Sequence, residues 1–234
     1  MHHDSQTCQF CNARTHSVFN VLDNEQVAEL NQNKSCSSYK KGQIIFNENA
    51  MPNGLYCVNL GKIKLSTLGF DGKEQILRLA KSGDVLGYRA LLANERYHCS
   101  AVALEDCSIC IIDKKYFQQS IENNHKLLFE MVKKISSDLK TAEEHIVSLS
   151  QKNVRERVAE ALLFLKATYG LMDDEQTINV SLSREEIADY VGTATETAIR
   201  LLSEFNQDKI IELSGKKIKI INLQKLIKTA NLND

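Results

Sequence analysis

The chain has 234 residues, of which 43% are hydrophobic and 25% charged, so two modest domains with real cores are expected. Its formal net charge of -1 argues against a nonspecific nucleic-acid binder, because such proteins are usually basic. The chain lacks a long apolar run, a signal peptide and, among its seven cysteines, the pattern of a secreted disulfide framework, and it is therefore expected in the reducing cytoplasm with no membrane span.

The first predicted segment, residues 1–18, is short, polar and irregular, and it carries Cys8 and Cys11. A small helix is predicted over residues 23–31, because Asp23 can cap its start.

The next segment, residues 19–124, is predicted to be a β domain. From Ser37 to about Asp113, short β-rich runs alternate with turns that contain glycine. Asp71-Gly72 lies between two such runs and is a strong hairpin signal. Many short strands at this spacing indicate an antiparallel roll, barrel or sandwich.

A long helix is predicted over residues 125–151. Its apolar residues recur at alternating three- and four-residue steps, which is typical of a coiled-coil seam. We favour a symmetric dimer along this seam, because the other faces of the helix are charged. Packing of the helix against its own β domain is the alternative. The seam consists of Leu128, Met131, Ile135, Leu139, Ala142, Ile146 and Leu149.

The last segment, residues 152–234, begins with an amphipathic helix that ends at Gly170, followed by a short strand, TINVSL. Two short helices with a turn at Gly192 follow, and Ser183 and Glu186 form a capping box at the start of the first. This is the layout of a helix-turn-helix, whose second helix enters the major groove of DNA.

The second of these helices has an inward apolar face and an outward face of mixed chemistry. Arg can donate two hydrogen bonds to guanine, Glu can accept one from cytosine, and an apolar side chain can contact the thymine methyl group. Two plainer interpretations stay open: Glu196 could form a capping box with Thr193, or an ordinary solvated ion pair with Arg200. The candidate DNA contacts are Ser183 and Arg184 in the first helix and Thr195, Glu196, Ile199 and Arg200 in the second.

The chain ends in KIIELSGKKIKIINL, a predicted hairpin with a turn near Gly215, which completes a winged helix. This hairpin is rich in lysine, whose side chains could contact DNA phosphates or could simply prevent an exposed strand edge from pairing with another chain. They are Lys209, Lys216, Lys217 and Lys219.

From about residue 8 to its end, the chain resembles the Crp/Fnr family of bacterial transcription regulators. The resemblance is carried by YKKGQIIF, LYCVNLGKIKL and SGDVLGYRALL, by the long helix, and by LSREEIADYVGTATETAIRLL. It implies an α+β fold with an N-terminal antiparallel β-roll of the cyclic-nucleotide-binding type, a long dimerisation helix and a C-terminal winged helix-turn-helix. It also implies a homodimer that binds a palindromic, TGA-containing operator on double-stranded DNA, contacts RNA polymerase, and reads the operator with residues placed like Glu196 and Arg200.

The resemblance argues against cyclic AMP as the ligand. Family members that bind it hold the ribose with Gly-Glu and the phosphate with Arg-Ser or Arg-Thr, since a buried phosphate needs a cationic partner. The matching positions here are Gly87-Tyr88 and Cys99-Ser100, and the nearby Arg96 lies off the motif.

The stretch GDVLGYRALL is more similar to the Fnr branch, in which three N-terminal cysteines and one in the β-roll hold an oxygen-labile iron–sulfur cluster. Cys8, Cys11 and Cys110 match three of these ligands, while Ser17, preceded by His16, occupies the remaining position. An iron–sulfur cluster in a redox sensor is thus one interpretation. Zinc and a reversible thiol pair are others. In the plainest interpretation Cys57, Cys107 and Cys110 are small core residues of the β-roll, and Cys8 and Cys11 lie in a terminal segment without a functional role.

Together these features predict a transcription regulator in which a signal received by the β-roll or the N-terminal cysteines alters the geometry of the two reading helices. The alternative is a cyclic-nucleotide-binding-like module that regulates a partner protein and does not bind DNA. An enzyme is not expected, because the sequence contains none of the P-loop, nucleophile-elbow, HExxH or Rossmann signatures.

Overall fold

The computed structural model describes residues 7–232, which divide into two compact units. The first unit comprises residues up to 67 together with 77–140, and the second comprises 68–76 together with 141 onward. None of the helices in the described part of the chain is both long and apolar enough to cross a membrane.

The β-roll consists of two four-stranded sheets, with strand orders β1-β8-β3-β6 and β2-β7-β4-β5. The neighbouring strands whose register is resolved are antiparallel, as the sequence predicts. The predicted hairpin joins β4 to β5 through Asp71-Gly72, where Gly72 has φ +76°. The strands are β1 (Lys34–Tyr39), β2 (Ile44–Phe46), β3 (Gly54–Leu60), β4 (Lys62–Leu68), β5 (Glu74–Lys81), β6 (Val85–Leu86), β7 (Ser100–Ala103) and β8 (Cys107–Asp113).

Helices lie before, between and after the strands of the roll. The predicted helix over 23–31 is confirmed as α2, and Asp23 caps it in a capping box with Gln26. The segment that carries the first two cysteines is more ordered than its polar composition suggests, because a 3-10 turn over Cys8–Phe10 leads into α1. The helices are α1 (Asn12–Thr15), α2 (Asn24–Gln32), α3 (Tyr88–Ala93), α4 (Lys114–Asn123) and α5 (His125–Gln151).

The first unit has two apolar clusters. One lies inside the roll, where the Phe46 and Tyr97 rings stack with centroids 4.2 Å apart. The other joins the N-terminal segment to the start of α5, through fully buried Phe117 and Leu127 and nearly fully buried Met131. The beginning of α5 therefore packs on its own β domain.

The second unit contains a helical core and a small two-stranded sheet. The expected helix ending at Gly170 and the expected hairpin are both confirmed. The expected strand over 177–182 is wrong, because its backbone forms only isolated bridges, one to Leu171 and one to Lys219. The elements are α6 (Val154–Tyr169), α7 (Arg184–Val191), α8 (Thr195–Gln207), β9 (Ile211–Ser214), β10 (Lys217–Ile220) and α9 (Leu223–Thr229).

Candidate DNA-binding surface and cysteine site

The helix-turn-helix is formed by α7, a tight turn at Gly192, and α8. The Ser183 hydroxyl accepts a hydrogen bond from the backbone N–H of Glu186 at 3.0 Å, and the Glu186 carboxylate accepts one from the backbone N–H of Ser183 at 2.6 Å. Gly192 has φ +71°, a left-handed conformation that favours glycine, and a Cβ there would lie 3.0 Å from the Leu149 side chain. The cap and the glycine together fix where α7 begins and where the chain turns.

Helix α8 presents its apolar face to the core and its polar face outward. Glu196 and Arg200 are exposed one turn apart, Ile199 between them is 45% exposed, and Thr195 is half-buried. The predicted outward residues thus share one accessible surface. The predicted inward residues are all buried: Ala198, Leu201, Leu202 and Phe205.

Neither plain interpretation of Glu196 is realised. Helix α8 begins after Ala194, and no side chain in residues 7–232 caps it. Arg200 pairs with Glu204 instead of Glu196, and Glu204 also accepts from Arg155 at 2.6 Å. Within the described part of the chain, Glu196 forms neither a hydrogen bond nor an ion pair, so its carboxylate is available to a ligand.

Sequence reasoning missed the role of Glu204, although its four-residue spacing from Arg200 is the signal for an ion pair on a helix. Glu204 holds the guanidinium of Arg200 at the protein surface. Because this pair is exposed to solvent, its contribution to stability is small, and DNA can compete for the guanidinium.

Arg184, at the start of α7, reaches the turn of the wing hairpin. Its Nη2 donates to the carbonyl oxygen of Gly215 at 2.9 Å, and burial lowers the pKa of its guanidinium. Arg184 therefore positions the wing, while Lys216 and Lys217 are exposed beside Gly215.

Helix α5 carries a row of exposed apolar side chains, which we call the α5 stripe. The side chains of Leu139 and Ile146 are 58% and 63% exposed, whereas core side chains are almost inaccessible to solvent. Met131 is a correction to the predicted seam: it is only 1% exposed, because the first turns of α5 pack on the β-roll. The stripe consists of Leu128, Phe129, Val132, Ile135, Leu139, Ala142, Ile146, Val147 and Leu149.

Cys8, Cys11 and Cys110, predicted as ligands from the two ends of the β domain, line one cavity of about 40 Å³ in the first unit. Cys8 and Cys11 are buried, which contradicts the interpretation that they belong to an exposed terminal segment. The cavity has a fourth thiol that sequence reasoning treated as a core residue, Cys57. Burial raises the pKa of the Cys57 thiol, and negative charge on Cys8 or Cys11 would raise it further.

The donor set suits a thiophilic metal or an iron–sulfur cluster, both of which thiolates bind well. The Cys110 sulfur, however, is bonded to that of Cys36 in a disulfide. In this arrangement, no three His, Cys, Asp or Glu side chains of residues 7–232 are placed to hold a metal ion. The lining of the cavity therefore does not fit a metal ion or a cluster, although Cys8, Cys11 and Cys57 are free thiols. Cys107 plays no part, because it is buried against the carbonyls of Lys62 and Glu105.

The positions that would hold the ribose and the phosphate of a cyclic nucleotide have residues with other partners. The Tyr88 hydroxyl, where family members have a carboxylate for the ribose, forms a short hydrogen bond to Asp138 of α5. Arg78 and Lys134 also bind Asp138, at 3.0 and 2.9 Å. Cys99 is buried, and Arg96 lies exposed at the surface, where it donates to a backbone carbonyl.

Comparison with known protein families gives two matches along the chain. Residues 36–124 match the cyclic nucleotide-binding domain, and residues 156–229 match the Crp-like helix-turn-helix domain. These segments coincide with the β-roll and with the unit that contains α7 and α8.

Individual proteins are similar over nearly the whole length. The chain is 28% identical to the fumarate and nitrate reduction regulatory protein of Vibrio cholerae, over 97% of this chain and 91% of that protein. It is 28% identical to the nitrogen fixation regulation protein FixK of Bradyrhizobium diazoefficiens, over 92% and 90%. The solved structure of FixK2 from Bradyrhizobium japonicum superposes with a TM-score of 0.76 at 27% identity, covering 86% of this chain and 99% of that one. The chain therefore belongs to the Crp/Fnr family of DNA-binding transcription regulators, and not to a family of enzymes.

Proposed function

We propose that the protein binds as a homodimer to a two-fold symmetric operator with TGA-containing half-sites. The observation that carries this proposal is the outward face of α8, where Glu196 and Arg200 are exposed while the opposite face is buried. A carboxylate and a guanidinium one helical turn apart can read neighbouring base pairs through a cytosine amine and the O6 and N7 atoms of guanine. Ile199 beside them can contact a thymine methyl group.

The α5 stripe supports the homodimer. Its exposed apolar side chains lie along a helix whose other positions are largely charged or polar, and such a row needs a partner surface. A second copy of the same helix supplies a self-complementary surface under two-fold symmetry. The stripe contains no charged residue, so we expect the dimer to exist without a signal, and regulation to act on its geometry.

The remaining parts of the proposal follow from this regulatory role. The protein acts in the cytoplasm, contacts RNA polymerase at promoters, and responds to a signal sensed by the β-roll or by the N-terminal cysteines. The replacement of the ribose-binding carboxylate by Tyr88 and its bond to Asp138 argue against cyclic AMP as that signal.

A gel-shift titration tests the operator. We expect the full-length protein to shift a duplex with a TGA…TCA palindrome at salt concentrations where a duplex of the same composition with both half-sites scrambled is not shifted. Equal shifting of both duplexes would contradict the operator assignment, because phosphate contacts alone carry no sequence information.

A further inference from the structure

We propose that a cavity in the second unit binds a small, uncharged aromatic molecule that carries one hydroxyl group, such as a phenol. The cavity, which we call the α6 cavity, has a volume of about 110 Å³ and lies between the C-terminal part of α5, the middle of α6 and the end of α7. All of the residues that line it belong to the second unit. The site goes beyond the proposed function, and its binding test requires no DNA.

Aromatic rings from all three helices line the α6 cavity. The rings of Phe164 and Tyr190 stack with centroids 5.5 Å apart, and the ring of His145 lies 5.3 Å from that of Tyr190. Ala161 and Val191 add small apolar side chains. An apolar cavity of roughly 150 Å³ holds benzene, so a cavity of this size, bordered by exposed residues, can hold a single aromatic ring. Such a ring can pack against the aromatic side chains that line the cavity.

Two of these aromatic residues carry polar groups that have no hydrogen-bond partner among residues 7–232. One is the buried Nε2 atom of His145, and the other is the hydroxyl group of Tyr190. Burial lowers the pKa of His145 and raises the pKa of Tyr190, so both side chains are uncharged at neutral pH. Buried polar groups are nearly always hydrogen-bonded in proteins, and these two are therefore suited to contact a ligand.

A hydroxyl group is the ligand group that matches these two partners best. In a neutral imidazole one nitrogen donates and the other accepts, and the tautomer decides which of the two is Nε2. A hydroxyl both donates and accepts, so it can bond to His145 Nε2 in either tautomer and to the Tyr190 hydroxyl at the same time. An ammonium group can only donate and a carboxylate can only accept, so each would leave one arrangement unsatisfied.

The charged residues that line the α6 cavity do not favour a charged ligand. Glu160 accepts from Lys152 Nζ at 2.7 Å and forms a short hydrogen bond with the Ser148 hydroxyl. Arg157 donates to backbone carbonyl groups at 2.9, 3.1 and 3.2 Å. Glu144 is exposed, so water screens its charge. A charged ligand would lose hydration without gaining a buried counter-charge, which favours an uncharged one.

The α6 cavity adjoins the helix-turn-helix. Tyr190 and Val191, at the end of α7, line it, and Arg157 of α6 donates to the carbonyl oxygens of Val191 and Gly192. A ligand between α6 and α7 therefore bears on the turn that precedes α8. If α8 reads an operator, ligand and operator change each other's affinity by the same factor, a consequence that rests on the proposed function.

The test compares the binding of 4-fluorophenol and 4-fluorotoluene to the full-length protein without DNA. The two probes have the same ring and nearly the same size, and only the first has a hydroxyl group. Titrations followed by fluorine NMR measure both affinities. We expect one saturable site per chain that binds 4-fluorophenol at least about tenfold more tightly than 4-fluorotoluene, because the second probe leaves the buried nitrogen of His145 unpaired.

Three variants locate the probe. His145→Leu removes the ring nitrogens but keeps an apolar side chain, so it should abolish the preference for 4-fluorophenol. Ala161→Leu fills the α6 cavity and should abolish the binding of both probes. His125→Leu is the matched control, because His125 is an exposed histidine of the same helix that lies outside the cavity, and it should bind both probes like the wild type. Cooperative heat unfolding checks that each variant is folded, and the comparison of the two probes on the wild type needs no variant.

Equal affinity of the wild type for the two probes, or no saturable binding, would overturn the proposal. An unchanged preference in His145→Leu or wild-type binding in Ala161→Leu would also overturn it, because the probe would then lie elsewhere. Operator affinity with and without saturating 4-fluorophenol is a separate measurement. Equal operator affinities would contradict the coupling to α8 and leave the binding site intact, whereas a lack of any specific operator binding would contradict the proposed function alone.

Discussion

Arg200→Ala is expected to abolish discrimination at one base pair of each half-site, at a cost of about 1–3 kcal/mol per half-site. Over the two half-sites of a dimer this amounts to roughly 2–6 kcal/mol. The guanidinium lies on the exposed face of α8, where it pairs with Glu204, so its removal should leave the fold intact. Fluorescence-anisotropy titrations against the operator and its single-base-pair variants measure the effect.

Lys216→Ala is the matched control for Arg200→Ala. Lys216 is exposed in the wing turn, where a lysine can reach a phosphate but presents no bidentate donor to a base. Its loss should weaken binding to all sequences alike and lower the salt dependence by about one ion. If Arg200→Ala behaved in the same uniform way, Arg200 would contact only the DNA backbone.

The second large effect is expected from Leu139→Asp combined with Ile146→Asp. Both side chains are more than half exposed on the α5 stripe, so the monomer should tolerate the changes, whereas a dimer would have to bury four unpaired carboxylates. We expect sedimentation of the variant as a monomer and a loss of operator affinity of about 10³-fold, toward the nonspecific level.

Ser137→Asp combined with Thr141→Asp provides the control for this variant. Both positions are exposed on α5 and no stripe residue lies three or four residues from either, so they add the same number of carboxylates without placing them in the interface. This protein should remain a dimer and bind the operator normally. Sedimentation of the wild-type, metal-free protein as a monomer would contradict the expected constitutive dimer.

The helix-turn-helix could be predicted from sequence because its signals are local. The capping box of Ser183 and Glu186, the left-handed turn at Gly192 and the three- and four-residue spacing of buried side chains each lie within a few residues of one another. Local patterns of this kind survive folding, because tertiary contacts reinforce them.

The predictions for Met131 and for residues 177–182 were wrong because a local pattern does not identify the segment that a residue will contact. Met131 fits the periodic seam of α5, but the same spacing also suits its actual partners in the β-roll, and periodicity does not identify the surface a residue meets. TINVSL has strand-like composition, yet it finds only single bridges to two different segments. The partners of Met131 include residues far away in the chain, whereas the bridges of TINVSL join Ile178 to the nearby Leu171 and Thr177 to the distant Lys219.

The position of Cys57 in the cysteine cavity also could not be predicted from the sequence. It is remote in sequence from Cys8, Cys11 and Cys110, and only the pairing of β3 with β8 places it opposite Cys110. A resemblance to a family assigns residues position by position, so it does not indicate that a thiol on another strand lines the same cavity.

The most direct test of the central claim, that two copies of α8 read one operator together, is operator binding with the half-site spacing altered. Two reading helices of a dimer occupy successive major grooves about 34 Å apart, which is one turn of 10–10.5 base pairs. Inserting five base pairs turns one half-site to the opposite face of the duplex, while the same insertion outside the operator changes nothing. The account predicts that only the internal insertion abolishes specific binding; undiminished affinity for it would mean that each chain binds its half-site alone.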